Sequence, residues 1–121
     1  MLVSVCIPCY KSAKNLSIVV SDIKEEFAKR PEDYQIILVN DGSPDDTFGV
    51  VLELCKEDKN ITGINLTKNY GQSSAKLAAL KQAKGDIIVF MDDDGQHPAE
   101  DIFKLVAKVL EGNDVVYAHF A

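Results

Sequence analysis

Apolar residues follow two patterns that alternate along the chain. Short, nearly continuous runs rich in Val, Ile and Phe are typical of buried strands. Apolar residues that recur every three or four positions indicate a helix with one buried face. The first pattern predicts strands at residues 3–7, 34–39, 61–66, 86–91 and 115–117.

A helix is predicted between each pair of successive strands. Three of them carry apolar stripes: Leu16, Val19, Val20, Ile23 and Phe27; Phe48, Val51, Leu52 and Cys55; and Ile102, Leu105, Val106 and Val109. The third helix, at 71–83, is rich in Ala, Lys and Leu, and Gly85 is expected to close it. Ser43 is the expected cap of the second helix, with Pro44 in its first turn, and Pro98 is expected to open the last helix.

This alternation predicts an α/β fold with a mostly parallel sheet flanked by helices on both faces. The runs at 36–39 and 87–90 are apolar at every position, as in strands that are buried on both sides. In open sheets of this kind, ligands bind beyond the carboxyl ends of the strands. We therefore expect the functional residues at the strand ends.

Composition narrows the class of protein. The 121 residues predict one domain, 1–121, with an ordinary content of 46% hydrophobic and 26% charged residues. A net charge of -6 argues against a nucleic-acid partner, because contact with phosphates takes a surplus of Lys and Arg. No apolar stretch is long enough to span a bilayer, and no signal peptide is evident. Three cysteines leave one unpaired in any disulfide scheme, so a reduced, cytoplasmic location is expected.

The most distinctive strand end is the run Asp92-Asp93-Asp94-Gly95-Gln96, which follows the apolar residues 86–91. It places oxygen-bearing side chains at alternate positions, Asp92, Asp94 and Gln96. Crowded carboxylates repel one another, and a divalent cation relieves that repulsion. Oxygen ligands suit Mg²⁺ or Mn²⁺. An acidic turn that caps the next helix is the alternative interpretation.

The ends of two other predicted strands are followed by candidate binding residues. The first strand is followed by Pro8-Cys9-Tyr10 and the second by Asn40-Asp41-Gly42-Ser43. Asp-Gly is also a common turn pair, so Asp41 has a structural interpretation as well. Its place beside the acidic run, at the same sheet edge, favours a binding role. Asp45 and Asp46 are assigned to helix capping.

Together these segments resemble family 2 glycosyltransferases, which have the Rossmann-like GT-A fold. The matching segments are Pro8-Cys9-Tyr10-Lys11-Ser12 with Asn15-Leu16, Asn40-Asp41-Gly42-Ser43-Pro44-Asp45-Asp46-Thr47, Asn69-Tyr70-Gly71-Gln72 with Ala75, and Met91 to Gln96 with Pro98. The likeness covers essentially the whole chain. The third and fourth segments are most similar to the polyprenyl-phosphate branch, which includes dolichyl-phosphate mannose synthases.

The resemblance implies an inverting, metal-dependent transferase that uses a nucleotide-diphosphate sugar. It implies that Asp41 contacts the nucleobase, Asp92 the ribose region, and Asp94 and Gln96 the Mg²⁺ or Mn²⁺ ion on the diphosphate. Asp92 and Asp94 are therefore the expected catalytic residues. The expected nucleotide-sugar contacts are Pro8, Tyr10, Ser12, Asp41, Lys68, Asp92 and Asp93. An exposed, solvated Lys68 is the alternative at that position.

Two departures from the family accompany this likeness. Lys11 and Ser12 stand where the family has Asn-Glu, which puts the nucleotide contact at Ser12 and the base preference in question. The chain is also shorter than family members, so we expect it to be the donor-binding part, truncated before the acceptor half and inactive alone. That half would bind a polyprenyl phosphate or a saccharide. Self-association through the truncated edge is expected, as is a position at the membrane surface in the full-length protein.

Two rival classes remain open from the sequence. Cys6-Ile7-Pro8-Cys9 has the C-x-x-C spacing of thioredoxin-like redox modules, although residues three apart on a strand point to opposite faces. A Mg²⁺-dependent receiver domain also gathers acids at parallel strand ends, but Pro8-Cys9-Tyr10 stands where that class has an acid pair. Neither His97, at a helix start, nor His119 is a good candidate for a catalytic base.

Overall fold

A computed structural model describes residues 1–66, 68, 72–91, 99 and 101–110. Its elements alternate strand and helix throughout the described residues. The strands are β1 (Leu2–Cys9), β2 (Asp33–Asp41), β3 (Ile61–Leu66) and β4 (Ile87–Phe90), and the helices are α1 (Leu16–Ala28), α2 (Thr47–Glu57), α3 (Gln72–Gln82) and α4 (Asp101–Leu110). The first four predicted strands are confirmed, and the one predicted at 115–117 lies outside the described residues.

The four strands form one parallel sheet in the order β3-β2-β1-β4. The chain moves outward from β1 through β2 to β3 and then returns to the other side of β1. The strand order therefore reverses between β1 and β4. This is the predicted parallel sheet, with the arrangement of a GT-A-like α/β fold.

Successive side chains of the central strands enter two separate cores, because neighbouring residues on a strand face opposite sides of the sheet. Val5, Ile7 and Cys9 of β1 pack on the face that α1, α2 and α4 cover. Cys6 packs on the other face, with Ala75 and Ala79 of α3. The central strands are thus buried on both sides, as their continuous apolar runs predict.

The helices of the first face also contact one another through aromatic side chains. Phe27 of α1 and Phe103 of α4 meet edge to face, with ring centroids 4.9 Å apart. The Arg30 guanidinium lies over the Phe103 ring, 4.0 Å from its centroid. Such contacts add to the apolar burial and fix α4 beside α1.

No described helix is both long enough and apolar enough to cross a bilayer.

Gly85 lies where the chain passes from α3 to β4. The helix ends at Gln82, so Gly85 does not close it as the sequence suggested. Instead the Gly85 N–H donates to Ser4 Oγ of β1 at 2.8 Å. A Cβ at this position would lie 2.7 Å from the Ser4 backbone nitrogen and 2.8 Å from the Ile87 carbonyl oxygen. Only glycine allows the two strands this close approach.

We expect Gly85→Ala to lower the free energy of unfolding by roughly 1–3 kcal/mol, because backbone atoms of β1 and β4 must move to admit the methyl group. Urea unfolding monitored by circular dichroism measures the change. Ser73→Ala, at an exposed position on α3, is the control and should stay within about 0.5 kcal/mol. Equal stability of the Gly85→Ala protein and the wild type would contradict the close-approach argument.

Candidate functional site

The carboxyl ends of β1 and β4 lie at the reversal of strand order, where a ligand crevice is expected. Within the described residues, β1 pairs with β2 as far as Cys9 and with β4 as far as Cys6. The Met91 N–H donates to the Cys6 carbonyl at 3.1 Å. Ligands of open parallel sheets bind at such reversals.

Asp41 is a buried carboxylate at this edge. It is the last residue of β2 and is only 4% exposed. Alternation along β2 places its side chain on the face of the sheet that α3 covers, as it does for Val39. Asp41 thus places a carboxylate at the carboxyl end of β2.

Asn40, the residue before Asp41, connects the end of β2 to β3. Its side chain is 4% exposed, and its amide nitrogen donates to Asn65 Oδ1 of β3 at 2.8 Å. Its amide oxygen accepts the Ser43 N–H at 3.3 Å. The two bonds fix the end of β2 against β3 and start the turn that leads to α2.

The loop after β1 is attached to the loop after β2 by two backbone bonds. The Lys11 N–H donates to Ser43 Oγ at 2.9 Å, and the Ser12 N–H donates to Thr47 Oγ1 at 2.9 Å. Lys11 has a φ of 53°, a left-handed conformation that costs a side-chain-bearing residue about 1–3 kcal/mol. The surrounding bonds hold this strained residue in place.

The hydroxyls of Ser43 and Thr47 both donate hydrogen bonds to the carboxylate of Asp45. Ser43 Oγ and Thr47 Oγ1 each donate to Asp45 Oδ1, and the Thr47 N–H donates to the same oxygen at 3.0 Å. The hydrogen bond from Ser43, followed by those from Thr47, lowers the pKa of Asp45 to about 2. Asp45 is therefore the common acceptor that connects the two loops.

These bonds correct the predicted start of α2. Ser43 is not its cap and Pro44 does not lie in its first turn, since the helix begins at Thr47. Ser43 instead connects the two loops. Asp45 accepts the N–H of Thr47, the first helical residue, whereas Asp46, at the N-cap position, makes no side-chain capping bond.

Ser12 has a structural role in the loop after β1. It is 4% exposed, its hydroxyl accepts the Tyr10 N–H at 3.1 Å, and the same hydroxyl donates to the Tyr10 carbonyl at 3.2 Å. Its carbonyl accepts the N–H of Leu16 at the start of α1. The expected nucleotide contact of Ser12 stays a prediction.

The other predicted contacts lie around the same edge. Tyr10 is 42% exposed, with Lys11 Nζ 5.4 Å from the centroid of its ring. Pro8 is half-buried and Lys68 is exposed. The structure therefore brings Pro8, Tyr10, Ser12 and Asp41 to adjoining ends of β1 and β2.

The predicted acidic run follows Met91, which is 6% exposed. Asp92, Asp93, Asp94 and Gln96 lie outside the described residues, as do His97, Pro98 and His119. Among the residues that are described, no group of three or more His, Cys, Asp or Glu side chains could hold a metal. The proposed ligands Asp94 and Gln96 are not in that set.

Three residues that support the site were not singled out from the sequence: Asn40, Thr47 and Asn65. Thr47 is fully buried, and the only signal for it in the sequence was its place at the end of the segment that begins with Asn40. Asn40 and Asn65 form a cross-strand pair, which depends on the register of β2 and β3. No local pattern reveals that register.

The cysteines contradict the redox interpretation. Cys6 and Cys9 are free thiols that pack on opposite faces of the sheet. Burial raises the pKa of Cys6 to about 12, whereas a reactive thiol needs a lowered pKa. The alternation along the strand separates the two sulfurs as expected.

Residues 4–121 match the family model for glycosyl transferase family 2. Two curated relatives are named undecaprenyl-phosphate 4-deoxy-4-formamido-L-arabinose transferase. The protein from Proteus mirabilis is 39% identical over 115 residues, which are 94% of this chain and 35% of that protein. The one from Aeromonas hydrophila is 35% identical over 116 residues, 95% of this chain and 36% of its own. The chain thus spans about a third of these relatives.

Solved structures share the fold. The mannosyltransferase PcManGT from Pyrobaculum calidifontis, in complex with GDP-Man and Mn²⁺, gives a TM-score of 0.75 at 25% identity over 94% of this chain and 33% of its own. Residues 1–349 of TarS from S. aureus, in complex with UDP-GlcNAc, give a TM-score of 0.70 at 27% identity. The match covers 92% of this chain and 32% of the TarS chain. The expected resemblance, including the polyprenyl-phosphate branch, is confirmed.

We expect Asp45→Asn to lower the free energy of unfolding at neutral pH and to lower it less in acid. A lowered pKa in the folded state stabilises the protein above the ordinary pKa of Asp, and this contribution is lost as pH falls through about 4 towards 2. The difference in unfolding free energy between wild type and variant should shrink over that interval, as measured by urea unfolding at several pH values. Asp22→Asn, on the exposed surface of α1, is the control. A pH-independent difference would rule out the carboxylate as the cause.

Proposed function

Because the chain belongs to glycosyl transferase family 2, we propose that it is the donor-binding part of an inverting, metal-dependent transferase. It would move a sugar from a nucleoside-diphosphate sugar to a polyprenyl phosphate. The observation that carries this proposal is the buried carboxylate of Asp41 at the carboxyl end of β2, the strand next to β1. The names of the curated relatives support the polyprenyl phosphate, with a saccharide as the alternative acceptor.

Donor recognition starts from Asp41 in this proposal. A carboxylate that accepts a nucleobase N–H forms a charge-assisted bond, which is stronger inside a crevice than in water. Tyr10 and Pro8 would provide apolar surface beside the nucleoside, and Lys68 would add positive charge near the phosphates. The loops after β1 and β2 are connected through Ser12, Ser43, Thr47 and Asp45, so this part of the proposed pocket would be formed before the donor arrives. Binding then costs little loop ordering.

A divalent cation is the expected cofactor. The oxygen donors of Asp94 and Gln96 fit Mg²⁺ or Mn²⁺. In the sequence they come shortly after β4, whose carboxyl end is where the diphosphate would lie. When bound, the ion would stabilise the negative charge that develops on the leaving nucleoside diphosphate. Asp92 and Asp93 would position the ribose and the sugar. PcManGT, the structural neighbour with Mn²⁺ and GDP-Man, supports this arrangement.

The acceptor chemistry explains why no histidine is assigned as a base. A phosphate monoester has a second pKa of about 6, so it is already largely deprotonated at neutral pH. Such an acceptor attacks the sugar carbon from the face opposite the leaving diphosphate without a general base. His97 and His119 are therefore not needed in the mechanism. Because polyprenyl phosphates are lipids, the reaction would take place at a membrane surface.

We expect Asp41→Ala to weaken nucleoside-diphosphate binding by about 1.5–3 kcal/mol, roughly ten- to a hundredfold in Kd, because one charge-assisted bond is lost. Isothermal titration calorimetry with UDP and GDP in the presence of Mn²⁺ tests this. Asp33→Ala is the matched control, since Asp33 begins the strand that Asp41 ends and lies at the opposite edge of the sheet. Equal affinities of the wild-type and Asp41→Ala proteins would leave Asp41 as a turn residue and remove the basis of the proposal.

A second prediction concerns the metal. Mn²⁺ should raise the melting temperature most when a nucleoside diphosphate is present, because phosphate oxygens complete its coordination sphere. Asp94→Asn should remove most of that increase and leave the metal-free melting temperature unchanged. Differential scanning fluorimetry measures both, with Asp33→Asn as the control. An unchanged response to Mn²⁺ in the Asp94→Asn protein would exclude Asp94 as a ligand.

A further inference from the structure

The outer side of α3 combines exposed leucines with lysines. Leu77 and Leu80 are 54% and 45% exposed, and Lys81 is exposed in the last turn of the helix. Lys84 is exposed just beyond the helix end. Their spacing places the leucines and Lys81 on one side, opposite the alanines that pack on the sheet. We refer to Leu77, Leu80, Lys81 and Lys84 as the α3 face.

A shallow groove continues the α3 face towards the edge of the sheet. It runs between α3 and β3, which is an edge strand of the described sheet, and Ile64, Leu77 and Ala78 line it with Lys81. Ile64 is only partly buried although it packs against the core. The apolar surface is thus larger than the two leucines, and charged side chains border it.

The charge on this part of the chain is opposite to that of the whole. From residue 59 to residue 85 there are five lysines and no Asp or Glu, although the chain has 19 acidic residues and a net charge of -6. The lysines are Lys59, Lys68, Lys76, Lys81 and Lys84. Lys59 and Lys68 are exposed before the start and after the end of β3. The acidic net charge of the chain therefore conceals a basic segment, and the α3 face lies within it.

We propose that the α3 face docks on the surface of a bilayer that contains anionic phospholipid. Leucines that enter the headgroup boundary while neighbouring lysines contact anionic headgroups are the usual arrangement of interfacial helices. Lysines can keep their charged ends in water while their alkyl chains cover apolar surface. Neither group would penetrate deeply, so the binding is reversible and depends on salt.

The charge makes a second copy of the chain a poorer occupant. A two-fold symmetric contact through the α3 face would place the lysines of one copy opposite those of the other, without an acidic residue from this region to pair them. Like charges in contact oppose association. An anionic lipid surface has the complementary charge.

This inference deepens the proposed function and rests on it in one respect: a polyprenyl-phosphate acceptor is itself embedded in a membrane. Docking through α3 would keep the chain at that membrane. The α3 face occupies the later part of the helix, which ends beside Gln35 near the start of β2, whereas Asp41 lies at the carboxyl end of that strand. Lipid binding is measured without nucleotide or metal, so its failure would leave donor binding to be judged separately.

The test is co-sedimentation of the 121-residue chain with vesicles of mixed phosphatidylglycerol and phosphatidylcholine, compared with phosphatidylcholine alone. We expect binding to the mixed vesicles only, with a steep loss as salt is added. One lysine near an anionic surface contributes about a fivefold factor in affinity. Leu77→Ser/Lys81→Glu removes one apolar contact and reverses one charge, so it should lower partitioning by about tenfold or more.

The matched control is Leu52→Ser/Lys56→Glu, which alters a leucine and a lysine with the same spacing on α2. Leu52 is 47% exposed, and α2 covers the opposite face of the sheet. This variant should bind as the wild type does. A further variant, Lys68→Gln/Lys84→Gln, keeps both leucines and should weaken binding at low salt. Circular dichroism checks that each variant is folded.

Three results would overturn the proposal: no binding of the wild type to the mixed vesicles, equal binding to neutral vesicles, or equal losses in the α3 and α2 variants. Light scattering that shows a dimer, abolished by Leu77→Ser/Lys81→Glu, would assign the α3 face to a second copy instead.

Discussion

The burial of β1 and β2 on both faces is the constraint on which the rest of the structure depends. Their side chains enter two apolar cores, so neither strand has a free face on which to present chemistry. A buried polar side chain inside these strands needs partners, as Ser4 of β1 has in Gln35 and Gly85, and further polar groups gather where the strands end. Asn40, Asp41 and Ser12 are buried polar residues of this kind. The position of the site is therefore a consequence of how the core is built.

The loops at that edge stabilise one another. The chain after β1 contributes backbone N–H groups, and the chain after β2 contributes the hydroxyls that accept them. The carboxylate of Asp45 in turn accepts bonds from the residues that carry these hydroxyls. Lys11 retains its left-handed backbone because its N–H and that of its neighbour are both bonded. The Lys-Ser pair that departs from the family pattern is thus part of an intact loop. Ser12 uses its hydroxyl to close a turn on Tyr10.

The sequence predicted the elements well because burial leaves a strong local pattern. The continuous run at 36–39 located β2, and residues 61–66 were predicted with the bounds that the structure has. The start of α2 was misplaced by three residues because Ser43, Asp45 and Thr47 are all good capping residues, and only the path of the β1 loop decides among them. The pair of Asn40 and Asn65 depends on strand register, which no short segment encodes. The acidic run was identified from composition and order, and its geometry lies beyond the described residues.

The strand order also has a consequence for the sequence of events in folding. β1 reaches β2 across a short separation, as in the Ser4–Gln35 bond, which spans 31 positions. Its contact with β4 spans 84 positions, as in the bond from the Leu2 N–H to Asp86. During synthesis the chain emerges from its N-terminus, so the β1–β2 pair can form while β4 is still in the ribosome. Closure of the longer loop is slower in any case. We therefore expect β4 to join β1 last, after much of the core around α1 and α2 has formed.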